Sequence, residues 1–174
     1  MAELLKEALA KAKTVLEALN IETLDDSGET TPGNNSSAIL LLQLDGTRLL
    51  LTGDAGIPAL SLAADSMDSM GLAGPLDFVQ VPHHGSRRNV GPTILNRLLG
   101  HYPQDPRMSA FVSASKDAKK HPSKQVTNAF RRRGAPVCST EGRKILHRSS
   151  DAPNRSDYGP IEPLPLFTTI EVEE

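Results

Sequence analysis

Two apolar runs, residues 38–44 and 47–51, are separated by Asp45-Gly46, and this pattern restricts the fold of the 174-residue chain more than any other. An Asp-Gly pair between such runs is a strong signal for a tight β-hairpin. The second run carries Thr52-Gly53-Asp54 at its carboxyl end, with Gly53 and Gly56 allowing the backbone to turn sharply. A third apolar run, 76–81, leads into Pro82-His83-His84-Gly85-Ser86. Carboxylate and imidazole groups at strand ends, beside glycines, are the ingredients of a metal site in a layered α/β fold.

The segments around this centre alternate in type. Residues 2–19 predict an amphipathic helix, with Leu5, Leu9, Ala12, Leu16 and Leu19 at three- and four-residue spacing and Lys and Glu on the other side. Residues 21–24 suggest a short strand, and 25–37, rich in Asp, Ser, Thr, Gly and Asn, a loop. Helices are expected over 57–70, with Pro58 in the first turn, over 92–99, and over 124–133, where Ser123 is a candidate cap and Gly134 a stop. Further strands are expected over 109–113, 136–139, 144–147 and 166–172, with an irregular segment at 149–165. The pattern predicts one domain of the α/β (α+β) class, a mixed sheet flanked by helices and preceded by the leading helix at 1–20.

Composition excludes several classes. Cys138 is the only cysteine, so neither a disulfide framework nor a thiolate zinc cluster is available. No apolar run approaches the ~20 residues that span a bilayer, and charges run through residues 1–20. The expectation is a soluble cytoplasmic protein with no membrane partner. Charge is unevenly placed. Residues 1–80 hold 4 basic and 12 acidic groups, and residues 81–148 hold 14 basic and 3 acidic groups. A positive segment that includes Arg87, Arg88 and Arg131 to Arg133 suggests nucleic acid or another phosphoester as partner; the plainer alternative is a solvated helix face. Trp is absent, so aromatic platforms for single strands are not evident.

Four short motifs in order carry a resemblance. They are Asn34-Asn35-Ser36-Ser37, Leu49 to Asp54 (Leu-Leu-Leu-Thr-Gly-Asp), Val81 to Ser86 (Val-Pro-His-His-Gly-Ser), and Phe111 to Ser115 with His121-Pro122-Ser123. Together they resemble the metallo-β-lactamase superfamily, most of all the hydrolase domain of competence-type DNA-uptake channel proteins. The resemblance covers the C-terminal half of that αββα sandwich. It implies a two-metal Zn2+ site and metal-assisted phosphodiester hydrolysis. The family's His-x-His-x-Asp-His motif does not occur among His83, His84, His101, His121 and His147.

By that resemblance Asp54 bridges metals and His84 completes the metal shell, with His121 as the alternative ligand. His83 and His121 are the candidate catalytic groups. Without the resemblance, Asp54 reads as a turn aspartate capping a helix, and one of the paired histidines as structural. Gly85, Ser86, Arg87 and Arg88 are candidates to hold a phosphate through backbone N–H groups, a hydroxyl and guanidinium forks. The expected function is a phosphodiesterase- or nuclease-type hydrolase half, active only when complemented by another chain or a second copy. The alternative is a non-catalytic interaction or phosphate-binding module. Half a sandwich is also expected to expose an apolar sheet face.

Overall fold

The computed structural model describes residues 2–101, 108–118, 120–149, 151–159 and 161–170. Five helices and five strands are found among them: α1 (Ala2–Ala18), α2 (Pro32–Asn35), β1 (Leu40–Leu44), β2 (Thr47–Leu51), α3 (Ile57–Ser69), β3 (Phe78–Gln80), α4 (Pro92–Leu99), β4 (Ser109–Val112), α5 (Lys124–Arg132) and β5 (Val137–Ser139). A 3-10 turn, His83–Gly85, follows β3.

The strands form one mixed sheet in the order β1-β2-β3-β4-β5. The hairpin forms as the Asp-Gly signal requires. β1 and β2 are antiparallel, Leu41 faces Leu50, and Asp45 and Gly46 both take positive φ, 48° and 80°. These are the signs of a type I′ turn, whose twist matches that of the strands it joins. The other neighbours are parallel, joined through α3, α4 and α5, as parallel strands need crossover connections.

Side chains alternate across the sheet. Leu50, Val79, Ala110 and Val137 stand in register and join one core with Leu60 and Met67 of α3, Ile94 and Leu95 of α4, and Val126 and Phe130 of α5. On the opposite face Phe78 and Phe111 meet edge to face at 5.1 Å, and the His147 ring lies 4.8 Å from Phe78. Burial holds the His147 imidazole below its ordinary pKa, against the pull of Asp77. Leu40, Leu42 and Leu44 alternate along β1 and remain exposed, Leu44 at 62 %. The mixed sheet flanked by helices is the expected α/β class.

Some local expectations fail. Residues 21–24 and 144–147 form no strand, and neither do residues 166–170, while 171–172 lie outside the described residues. The 144–147 stretch instead covers Phe78 and Phe111 through His147. Residues 166–170 are tied to α5 by Asn128, which exchanges two 2.8 Å hydrogen bonds with the backbone of Phe167. Ser123 stands at the N-cap of α5, but its hydroxyl makes no capping bond.

Helix α1 departs most from expectation. Its leucine stripe faces outward, with Leu5 71 % and Leu19 66 % exposed. Ala10 and Glu17 are its buried residues. The Glu17 carboxylate accepts from Arg132 Nη2 at 2.5 Å, Asn128 Nδ2 at 2.7 Å and Thr23 Oγ1 at 2.6 Å. A buried carboxylate is costly unless paired and hydrogen-bonded, and here α5 and the 20–24 segment supply both. A polar lock therefore docks α1. Among the described residues no helix is long and apolar enough to cross a membrane.

Candidate functional site

The carboxyl ends of parallel strands are where open α/β sheets bind ligands, because the loops splay apart there. β2, β3 and β4 send three loops to that edge: Thr52 to Gly56, Val81 to Arg88, and a third that includes 113–118 and 120–123. Gln80, the last residue of β3, ties the first two. Its side-chain carbonyl accepts from Thr52 N–H and Gly53 N–H at 3.1 and 3.2 Å. His83 N–H donates to Gly53 O at 3.1 Å, and Ser123 N–H to Gly85 O at 3.0 Å, which brings the His121-Pro122-Ser123 stretch against the histidine turn.

Asp54 is exposed at the end of β2. Its backbone is fixed from both sides: its N–H donates to Ser37 Oγ at 3.1 Å, and its carbonyl accepts from the buried Asn89 Nδ2 at 2.9 Å. Helix α3 begins after Gly56 with no side-chain cap, so Asp54 is not the helix cap that the alternative required.

His83, His84 and Gly85 all have positive φ, at 45°, 57° and 80°. A non-glycine residue held there costs about 1–3 kcal/mol and persists only where its surroundings impose it. They do so here. Asn34 Nδ2 lies 2.9 Å from His83 Nδ1, and Ser113 O lies 2.8 Å from His84 Nδ1. The Ser113 carbonyl can only accept, so His84 Nδ1 is the donor in that bond, while His83 Nδ1 meets the nitrogen of the Asn34 amide. The two rings are 5.9 Å apart and nearly perpendicular.

The candidate phosphate residues are arranged differently from expectation. Gly85 N–H donates to Pro82 O at 2.9 Å and Ser86 N–H to His83 O at 3.0 Å, so these amides close the turn itself. The buried Ser86 accepts the Arg88 N–H on its hydroxyl at 3.3 Å. Arg87 is half-buried and Arg88 exposed. Both line a cleft on the α1 side that none of Asp54, His83, His84 and His121 lines. Of the triplet Arg131 to Arg133, two are internal. Arg132 pairs with Glu17, and Arg133 grips Glu22 through both terminal nitrogens at 2.7 and 2.8 Å. These two arginines of the positive run therefore serve internal partners.

Asn34, Ser37, Gln80, Asn89 and Ser113 hold the site, although none of them is marked as a site residue by its type alone. Asn34 and Ser37 lie in the Asn-Asn-Ser-Ser motif, and the folding of that stretch over the β2 and β3 loops is what their clustering encodes. Asp54 and His84 have the chemistry of metal ligands, and the Ser113 bond is the kind that orients a ligating histidine. Among the described residues no three His, Cys, Asp or Glu are placed to hold an ion. Comparison of the chain with family models, with curated proteins and with solved structures gives no match.

Proposed function

We propose that the loops at the carboxyl ends of β2, β3 and β4 form one wall of a phosphoester-hydrolase site of the metallo-β-lactamase type. The single observation that carries this is the paired histidine turn, held at positive φ with His83 Nδ1 on the Asn34 amide and His84 Nδ1 on the Ser113 carbonyl. A hydrolytic site needs a group that donates toward an anionic oxygen and a group that binds or accepts. With the rings neutral and the Asn34 amide donating, His83 Nε2–H fills the first role and His84 Nε2 the second, while Asp54 stands on the neighbouring loop. His121, brought up against the same turn, is the further candidate for proton transfer. Zn2+ belongs to this reading as a weakly held ion at His84 and Asp54, with additional ligands from another chain or a second copy completing its shell. No bond-breaking step follows from the chain's own residues.

The test is long-range proton–nitrogen NMR of the histidine rings, with a titration of Zn2+ as the metal alone. The expected result is an Nε2–H tautomer for His83 and an Nδ1–H tautomer for His84, with Zn2+ shifting the His84 ring first. His84→Ala is expected to weaken that Zn2+ response by about tenfold or more. Identical tautomers at the two rings, or a Zn2+ response indifferent to both His84→Ala and Asp54→Asn, overturns the reading. A non-catalytic phosphate-binding module would then stand in its place.

A further inference from the structure

A second concavity lies away from the histidine turn. It is a cleft of about 560 Å3 between α1, the 23–29 segment and the turn that carries Arg87 and Arg88. That size is within the range of small-molecule sites, roughly 300–1,000 Å3. Its floor is polar, buried and immobilised. Gln125 Nε2 donates to Thr23 O at 3.1 Å and to Thr23 Oγ1 at 2.9 Å, and Thr23 in turn bonds the buried Glu17. Three cations come from two walls, Lys13 from α1 and Arg87 and Arg88 from the turn after β3, against the carboxylates Asp25 and Glu29 of the intervening segment. Leu9 and Leu24 add an apolar strip.

The acidic segment is pinned in place. Ser27 N–H donates to Asp25 Oδ1 at 3.0 Å and the Ser27 hydroxyl bonds the same oxygen. These bonds, with Lys13 and Arg87 nearby, hold the Asp25 carboxyl below its ordinary pKa. Gly28 lies so close to the Arg88 carbonyl that any Cβ at 28 would collide with that backbone. The wall is thus closed by a contact only glycine permits.

We propose that this cleft binds a small phosphomonoester that also carries hydroxyl groups, such as a nucleoside monophosphate or a sugar phosphate. The phosphoryl group, with a charge of about −1.5 to −2 at neutral pH, lies between Lys13 and the Arg87–Arg88 pair, where guanidinium forks suit its oxygens. Hydroxyl groups face Glu29, and the apolar strip covers the remaining carbon skeleton. This site is separate from the histidine turn and does not rest on the hydrolase reading.

Calorimetric titration of the full chain distinguishes the sources, with inorganic phosphate, adenosine monophosphate and glucose 6-phosphate as probes. Saturable binding of either ester is expected, and whichever binds tighter identifies the source. Arg88→Gln and Lys13→Gln are each expected to weaken it by about tenfold. Gly28→Val, which leaves every charge in place, is expected to do at least as much by displacing the wall, with circular dichroism melts confirming that each variant is folded. Absence of binding by both esters, or affinity unmoved by all three substitutions, overturns the proposal. So does affinity that falls in His84→Ala and stands in Arg88→Gln, because the phosphate would then sit at the histidine turn, an outcome that spares the hydrolase reading.

Discussion

Arg87–Arg88 and Arg131–Arg133 look alike in the sequence, as short basic runs in one positive segment, yet the fold uses them in opposite ways. The first pair stays at the surface, on a turn that lines a cleft. Two members of the second run are buried. Arg132 closes on Glu17, and Arg133 is held by Glu22, by Asn96 Oδ1 at 2.8 Å and by the carbonyl of Ala129 at 2.9 Å. Arg131 reaches the Leu164 carbonyl at 2.9 Å. The difference follows from setting. A turn between elements leaves its side chains outward, whereas the last turn of α5 is packed between the sheet core and α1. Charge runs in a sequence therefore measure partners needed, and those partners can be internal.

The largest effect that tests this contrast is expected at Glu17. Glu17→Ala leaves Arg132 buried without its counter-charge and is expected to cost about 3–5 kcal/mol in urea unfolding. Replacing both members, Glu17→Leu with Arg132→Met, is expected to recover most of that loss, since a buried pair is often no better than packed apolar groups. Equal loss in the single and double variants would show that α1 is docked by something other than this pair.

Acid should act through the same group. Burial pushes the Glu17 carboxyl up, but hydrogen bonds from Arg132, Thr23 and Asn128 and the Arg132 charge outweigh it, and its pKa is lowered. A carboxyl lowered in the native state binds its proton less readily there than in the unfolded chain. Its contribution is complete above the ordinary glutamate range and disappears as pH falls through the lowered native value. Melting temperature against pH should therefore drop more steeply on the acid side for the wild type than for Glu17→Gln. Parallel curves would remove Glu17 from the account.

Arg133→Ala comes next, with an expected loss of about 1.5–3 kcal/mol from its charge-assisted bonds. Smallest of all is Arg88→Gln, expected to leave unfolding within about 0.5 kcal/mol of wild type. A substantial stability loss there would erase the distinction between the two runs.

The elements legible in the sequence were those whose signal is local. Asp45-Gly46 fixed the hairpin because the turn's backbone demands positive φ. Pro92 in the first turn and Gly100 after the last bounded α4 to its residues. What failed depended on distant partners. The leucine stripe of α1 implied an inward apolar face, but Glu17 meets residues more than a hundred positions away, and nothing in the local period announces that. Residues 144–147 have strand composition, yet β5 takes its next backbone bond from Leu164 N–H at 2.8 Å. At the candidate site the histidines and Asp54 stood out by residue type. Their orienting partners did not, because Asn34 and Ser113 are ordinary polar positions until the loops meet.

The sheet order has a consequence for how the chain assembles. Every strand pairs with its neighbour in sequence, so each closure is far shorter than the chain and carries a lower entropic cost than a contact between its ends. The lock between Glu17 and Arg132 closes across 115 residues. Interactions of such separation form late, after local pairing has shortened the effective loop. Helix α1 keeps its leucines in water and buries Ala10 and Glu17. Its amides should accordingly exchange with deuterium through a partial opening that leaves β2, β3 and β4 protected, making the leading helix the first cooperative unit to leave the native state and the last to join it.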